Sequence, residues 1–189
     1  GNVINPDDVR EEFGADALRC FILFLGPLDR DKPWSSTGII GVRKFLERVW
    51  RACVDENGQS LVTNDPLPQE LEKTLHKTIK KIGDDIETLS FNTSISALMI
   101  LVNEIYKFNC HSRAVIRPLL LLLAPFAPHL SEELWEKIGE TGFVSLSEWP
   151  SFNPLLTIDN TVSIGVQVNG KKRGAIEINK DANENEAMT

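Results

Sequence analysis

Cysteine is scarce in this 189-residue chain, in which it occurs three times. Cys20, Cys53 and Cys110 lie far apart and in apolar contexts. An odd number of widely spaced cysteines argues against a disulfide framework and predicts buried, reduced thiols, as in intracellular proteins. The chain also lacks a Cys-x-x-Cys pair and any pair of histidines at metal-ligand spacing. We therefore expect no metal site and no bound cofactor in this chain.

Long apolar runs are missing as well. The longest, Leu119–Ala127, is about half of the roughly 20 residues that a membrane span needs, and it contains Pro125. Nothing in the sequence resembles a signal peptide. We expect a soluble, cytoplasmic protein with no membrane partner.

Catalytic motifs are absent too. The sequence has no Walker loop and no G-x-G-x-x-G segment. Its two adjacent acidic pairs, Asp84-Asp85 and Glu132-Glu133, diverge around their predicted helices, so we interpret them as exposed helix charges. No motif supports a catalytic domain, and we expect no catalytic residue here.

The chain has little positive charge overall. Its net charge is −7 and its pI about 5.0. This balance argues against a general nucleic-acid coat protein. It still allows a local basic patch on an acidic body, because charges act over a Debye length of about 8 Å.

One stretch carries such a patch. Ile39–Val54, IIGVRKFLERVWRACV, predicts an amphipathic helix, because its apolar residues recur at steps of three and four. The predicted inner face consists of Val42, Phe45, Leu46, Val49, Trp50 and Cys53. The outer face carries Arg43, Lys44, Arg48 and Arg51, opposed by Glu47. These cations are candidates for phosphate contacts, and the alternative is a core helix with a solvated basic face.

Periodicity and capping residues predict six further helices, at about residues 6–13, 15–25, 69–89, 91–108, 114–123 and 131–138. The helix at 114–123 is apolar nearly all round and is expected to be the most buried. We expect caps at Asn5, at Ser36 or Thr37 for the basic helix, at Ser112 and at Ser131. Ile22 and Tyr106 are expected to face inward.

The pattern changes after residue 143. A segment with two X-Pro pairs predicts a linker, and Val162–Val168 and Ala175–Ile178 predict two strands joined around Asn169-Gly170. The expected loop between them contains three consecutive cations, Lys171, Lys172 and Arg173. Because a lone hairpin is marginal in water, we expect it to begin a small α+β domain.

Four segments resemble a known family. GNVINPDDVREEFGADALR looks like the segment after the Lys-Met-Ser-Lys-Ser loop of class I aminoacyl-tRNA synthetases, and LLAPFAPHLSEELWE resembles the last bundle helices of their Leu, Ile, Val and Met subgroup. GPLDRDKPWSSTGIIGVRKFLERVW and VQVNGKKRG together are similar to bacterial-type leucyl-tRNA synthetases.

This resemblance implies a mainly α fold, an antiparallel helical bundle of the anticodon-binding type followed by a partial small α+β module. It implies a stem-contact segment and connector at 1–35, the bundle at 36–143, a linker at 144–160 and the start of a truncated C-terminal tRNA-binding domain at 161–189. The absence of an initiator Met and the resemblance to the region after the Lys-Met-Ser-Lys-Ser loop suggest a fragment of a longer chain.

The implied function is to position tRNA(Leu) for leucylation by a catalytic domain. That domain would supply the sites for leucine, ATP and Mg, and its His-Ile-Gly-His and Lys-Met-Ser-Lys-Ser motifs do not occur here. This chain alone is predicted to be inactive and monomeric, with tRNA(Leu) as its partner.

Lys44 and Arg48 match family positions that are basic and face the tRNA backbone, and Arg43 and Arg51 are weaker candidates. Lys171, Lys172 and Arg173 resemble the family's Lys-x-Arg with one additional Lys. Trp34 matches the family's Lys-Pro-Trp, and we interpret it as a packed aromatic that holds the connector.

Two alternatives remain. The same region of a valyl- or isoleucyl-tRNA synthetase would share the first two motifs, although the hairpin and the Lys-Pro-Trp connector argue against it. A helical protein-interaction module would also suit an acidic bundle.

Overall fold

The computed structural model describes residues 4–27, 34–158, 161–168 and 171–179. It divides into two compact units, Gly1–Leu156 and Thr157–Thr189. The helices of the described part are α1 (Pro6–Phe13), α2 (Ala15–Phe24), α3 (Ser36–Cys53), α4 (Gln69–Glu87), α5 (Phe91–Lys107), α6 (Arg113–Leu123) and α7 (Pro128–Lys137), with short 3₁₀ turns at Val144–Leu146 and Pro154–Thr157. The predicted mainly helical fold is confirmed. No helix in the described part combines the length and apolar character that crossing a membrane requires.

The centre of the first unit is α6. Its buried residues are Val115, Ile116 and Leu119–Leu123. Ser112 caps the helix, since its Oγ accepts the Ala114 N–H at 3.3 Å. The predictions of a most-buried helix and of its cap are both confirmed. α4 packs against both α5 and α6, and α2 packs against α3 and α5.

The three cysteines are buried and free of disulfides, as predicted. Burial raises the pKa of Cys20 to about 12, with the nearby Asp16 carboxylate adding to the effect. Burial likewise raises the pKa of Cys53 to about 12. Both thiols therefore stay protonated and act as small apolar side chains.

Two caps differ from those predicted, and the first is the cap of α3. Ser35, not Ser36 or Thr37, precedes the helix, and its Oγ accepts the Gly38 N–H at 3.2 Å. Ser35 has the extended backbone that a cap requires, with φ −134° and ψ 105°. The Thr37 hydroxyl instead lies 3.0 Å from Ser35 Oγ.

The junction of α2 and α3 depends on a glycine. A Cβ at Gly38 would lie 2.6 Å from a ring carbon of Phe21. The Phe21 ring also packs against Trp34, with the two rings edge-on and their centres 5.1 Å apart. The interpretation of Trp34 as a packed aromatic is confirmed, and the glycine lets α3 approach α2 closely.

The second difference is the start of α7. The helix begins at Pro128 and its cap position, Ala127, offers no side-chain oxygen. Asp16 of α2 supplies the acceptor instead, at 2.7 Å from the Leu130 N–H. Ser131, the predicted cap, lies inside the helix with its Oγ buried and without a partner in the described part. The prediction was wrong because the capping residue comes from 114 positions away.

Glu132 joins α7 to the 3₁₀ turn that follows it. The carboxylate accepts the N–H groups of Val144 at 2.9 Å and Ser145 at 3.1 Å, and the Ser145 hydroxyl at 2.8 Å. Partial burial raises the pKa of Glu132, but these hydrogen bonds outweigh it and hold that pKa below its ordinary value. The interpretation of Glu132 as an exposed helix charge was wrong, because the side chain caps a neighbouring turn.

Asp85 was also expected to be exposed and is buried. Its carboxylate accepts from Lys81 Nζ at 2.5 Å and from the hydroxyls of Thr93 at 2.7 Å and Ser94 at 3.3 Å. These partners belong to α4 and α5, so the buried charge is fully partnered and fastens the turn between the two helices. Asp84 is exposed, as predicted, and pairs with Lys80.

Two side chains predicted to face inward do not. Ile22 is 51% exposed and Tyr106 is 41% exposed. In α2 the buried face consists of Ala17, Cys20 and Phe21. Ala17 and Cys20 are small and do not stand out in a search for large apolar residues. The predicted inner face of α2 was therefore displaced by about one residue from the face that is buried.

The second unit contains β1 (Thr161–Val168) and β2 (Lys171–Asn179), paired antiparallel with an irregularity at Val166/Gln167. The two predicted strands are confirmed, whereas Asn169-Gly170 lies outside the described residues. Lys171–Arg173 was predicted to lie in the loop and lies within β2, where Lys171 pairs with Val168. The pairing begins at Lys171, four residues before the predicted start of this strand at Ala175, because the charged residues of this stretch gave no apolar pattern to indicate a strand.

Asp16→Ala is expected to lower the free energy of unfolding by about 1 kcal/mol, because it leaves an N–H of α7 without its acceptor. The melting temperature, followed by circular dichroism at pH 7, should fall by roughly 2–4 °C. Asp84→Ala is the control, since it removes only an exposed pair with Lys80. An equal loss in both variants would contradict the capping role.

Glu132→Gln is expected to lose stability at neutral pH, because an amide is a weaker acceptor than a carboxylate. The folded-state pKa of Glu132 is lowered, so its contribution is fully present above the unfolded-state pKa of about 4.3 and is lost as the pH falls further. Urea denaturation should therefore show the difference from the unaltered chain shrinking below about pH 4.3. Glu133→Gln is the matched control, and a difference that stays constant with pH would contradict the assignment.

Candidate nucleic-acid interface

The predicted two-faced helix is confirmed in α3. Its inner residues Ile39, Val42, Val49 and Cys53 are fully buried. Arg43, Lys44, Glu47 and Arg51 are exposed, and Arg48 is half-buried. Because the inner face is held in the core, the rotation of the helix is set and the cations are directed outward.

The four cations of this face differ in what holds them. Glu47 lies between two of them, with Oε1 3.1 Å from Arg43 Nε and Oε2 3.7 Å from Arg51 Nη2. Residues four apart are neighbours on a helix, so the Arg-Glu-Arg spacing produces this bridge. One carboxylate thus partly neutralises two of the four cations that were predicted to contact phosphates.

Arg43 has a second attachment. Its Nη1 donates to the Phe13 carbonyl, near the C-terminus of α1, at 2.9 Å. A cation there also suits the negative end of the α1 dipole. Arg43 therefore serves to fasten α1 to α3.

Lys44 is exposed and has no hydrogen-bond or ion-pair partner among the residues that the structure describes. It lies one helical turn before Arg48, so both project from the same side of α3. Its ammonium is therefore available to an outside anion.

Arg48 is held by the neighbouring helix α5. Its Nη1 donates to Asn103 Oδ1 at 2.7 Å, and its Cζ lies 4.6 Å from the centre of the Tyr106 ring. The Tyr106 hydroxyl in turn donates to the Arg48 carbonyl at 2.9 Å. Sequence reasoning missed Asn103 and Tyr106, since no local pattern relates residues more than fifty positions apart.

The other predicted cations, Lys171, Lys172 and Arg173, are consecutive residues of β2 in the second unit. Their side chains lie outside the described part of the structure. Their role in binding stays a prediction.

Other site chemistry is not assembled in the described residues. Within them, no three potential metal-ligating side chains form a cluster. Each histidine ring contacts a protein atom: His76 accepts from the Asn153 N–H, His111 contacts the Ala52 carbonyl and His129 contacts Asp16. These are contacts that tie segments of the fold together.

A family model described as the anticodon-binding domain of tRNA ligase matches residues 68–188. The chain belongs to this family. The matched residues include helices α4 to α7 and both strands, so the anticodon-binding family accounts for most of the bundle and for the hairpin. Helix α3, with the basic face, precedes the matched region.

Curated relatives of this anticodon-binding chain are leucine–tRNA ligases. That of Bdellovibrio bacteriovorus is 56% identical over 188 residues, covering 100% of this chain and 24% of the relative. That of Chlorobium chlorochromatii is 49% identical over 180 residues, covering 94% and 22%. The predicted leucyl-tRNA synthetase resemblance is confirmed, and the chain spans about a quarter of the length of these relatives.

Solved structures show the same fold. A crystal structure described as the ternary complex of Agrobacterium radiobacter K84 agnB2 LeuRS-tRNA-LeuAMS aligns with a TM-score of 0.75 at 32% identity, covering 100% of this chain and 26% of that one. The apo form of Mycobacterium tuberculosis methionyl-tRNA synthetase aligns with a TM-score of 0.54 at 15% identity, covering 80% and 42%. The second likeness concerns the fold alone.

Glu47→Gln is expected to increase affinity for RNA by a few fold at low salt, since it frees Arg43 and Arg51 from a shared carboxylate. The measurement is a fluorescence-anisotropy titration with a leucine tRNA at two salt concentrations. The gain should shrink at the higher salt, where the charges are screened.

Glu148→Gln provides the same change of charge at an exposed residue beyond α7. It should leave the affinity nearly unchanged. An equal gain in both variants would show that only the net charge of the chain matters.

Proposed function

We propose that this chain is the tRNA-binding region of a leucine–tRNA ligase and that α3 presents Lys44 and Arg48 to the sugar–phosphate backbone of tRNA(Leu). The observation that carries this proposal is the outer face of α3. It combines a lysine that has no partner among the described residues with an arginine held in place, on a helix whose opposite face is buried. Family membership and the likeness to a leucyl-tRNA synthetase structure described with tRNA support it.

The acidic net charge of −7 is compatible with such a role. Screening confines each charge to about 8 Å at physiological salt, so a phosphate at α3 senses the local cations more than the distant acids. Lys44 and Arg48 contribute most because they carry no ion pair within the described residues. Arg43 and Arg51 contribute less, since they share Glu47.

The remaining parts of the proposal follow the resemblance. Residues 1–35 form a stem-contact segment and connector, 36–143 the bundle, 144–160 the linker and 161–189 the beginning of a C-terminal tRNA-binding domain. Lys171, Lys172 and Arg173 supply a second set of backbone contacts there. Leucine, ATP and Mg are bound by a catalytic domain elsewhere in the enzyme, which works as a cytoplasmic monomer.

Replacing Lys44 and Arg48 together by Gln is expected to weaken tRNA binding and to reduce the slope of log affinity against log salt. The reduction should be about one unit for each phosphate that the variant no longer neutralises. Titrations with a leucine tRNA and a valine tRNA should show the same weakening, because backbone contacts do not read sequence.

The matched control replaces Lys73 and Lys80 of α4 by Gln, which likewise removes two cations, of which Lys80 is exposed and pairs with Asp84. It should retain both the affinity and the salt slope of the unaltered chain. An unchanged slope in the Lys44 and Arg48 variant would contradict the proposed interface.

A further inference from the structure

Two side chains of α5 contact the Arg48 guanidinium. Asn103 accepts one N–H from Nη1, and the guanidinium Cζ lies over the Tyr106 ring at 4.6 Å from its centre. An arginine on a helix surface ordinarily samples many rotamers, and both contacts restrict it. Arg51 offers a comparison on the same helix, because its side chain is 65% exposed and its hydrogen bond and ion pair within the described residues are both to Glu47.

These two contacts leave most N–H donors of the Arg48 guanidinium without a partner among the described residues. The group has five N–H donors in a planar fork, and Asn103 takes one of them. The Nε–Nη2 edge, which can bind two phosphate oxygens side by side, has no partner among the described residues. Asn103 is neutral, so it orients the guanidinium without cancelling its charge.

The geometry points to Asn103 and Tyr106 as positioning residues that hold Arg48 ready for a backbone phosphate of the bound RNA. This inference rests on the proposed function and extends it to α5, which the sequence did not implicate. An arginine already ordered loses less conformational freedom on binding. Such ordering corresponds to roughly threefold to tenfold in affinity.

The two residues act differently. Tyr106 also fastens α5 to the backbone of α3 through its hydroxyl. Tyr106→Phe removes that bond and keeps the aromatic ring beside Arg48, whereas Tyr106→Leu removes both. Asn103→Ala removes the acceptor, whereas Asn103→Asp keeps an acceptor and adds a negative charge beside Arg48.

The first measurement needs no RNA. The Nε–Hε order parameter of Arg48 in the full 189-residue chain, measured by NMR, should exceed that of Arg51. It should fall in Asn103→Ala and Tyr106→Leu and persist in Tyr106→Phe. An Arg48 as mobile as Arg51 in the unaltered chain would overturn the positioning role.

The second measurement is tRNA binding at two salt concentrations. Asn103→Ala should weaken binding about threefold to tenfold and keep the salt slope, because the charge of Arg48 remains. Asn103→Asp should weaken binding at least as much and reduce the slope by about one unit, because it pairs with the cation. In an Arg48→Gln background, Asn103→Ala should have no further effect.

Asn92→Asp is the matched control. It introduces the same charge on the same helix, eleven residues or about 16 Å away, beyond the screening distance. Equal effects of the two Asp variants, or an undiminished effect of Asn103→Ala without Arg48, would overturn the inference. Failure of the unaltered chain to bind tRNA at either salt would overturn the proposed function itself and this inference with it.

Discussion

Burial of the inner face of α3 is the constraint on which the surface chemistry depends. Ile39, Val42 and Val49 are fully buried, so the helix cannot rotate without exposing large apolar side chains. Exposing one such side chain costs about 1.5–3 kcal/mol, a sizeable part of the stability of a domain. The direction of Lys44 and Arg48 is therefore set by hydrophobic contacts on the opposite side of the helix.

The same helix shows that exposed charges on one face are not equivalent. The number of cations alone predicts four similar phosphate contacts. In the structure the four cations differ in the groups that they already contact. Arg43 is committed to Glu47 and to the end of α1, and Lys44 has no partner in the described part of the chain. Arg48 lies between these extremes, because its contacts on α5 restrict its motion and leave its charge intact.

Features that depend on interactions between residues close in the sequence could be predicted, and features that depend on distant residues could not. The helical bundle, the buried α6 and the inner face of α3 depend on periodicity within a segment, and all three predictions are confirmed. The cap of α7 joins Leu130 to Asp16, 114 positions away, and the hydrogen bond of Arg48 joins it to Asn103, 55 positions away. No pattern within one helix contains such contacts. The roles of Asp85 and Glu132 were misjudged for a similar reason, since the Thr93 hydroxyl that binds Asp85 and the Val144 N–H that binds Glu132 lie on other elements.

The cap that α2 supplies to α7 also bears on the order in which the chain folds. α7 has ten residues and no capping oxygen of its own, and helices of this length are marginal in isolation. The Leu130 N–H of its first turn finds its acceptor only once Asp16 has arrived from α2. Closing that contact joins distant parts of the chain, a slow step in folding. We therefore expect α7 to consolidate late, so that slowed amide hydrogen exchange at Leu130 would report the completion of the whole bundle.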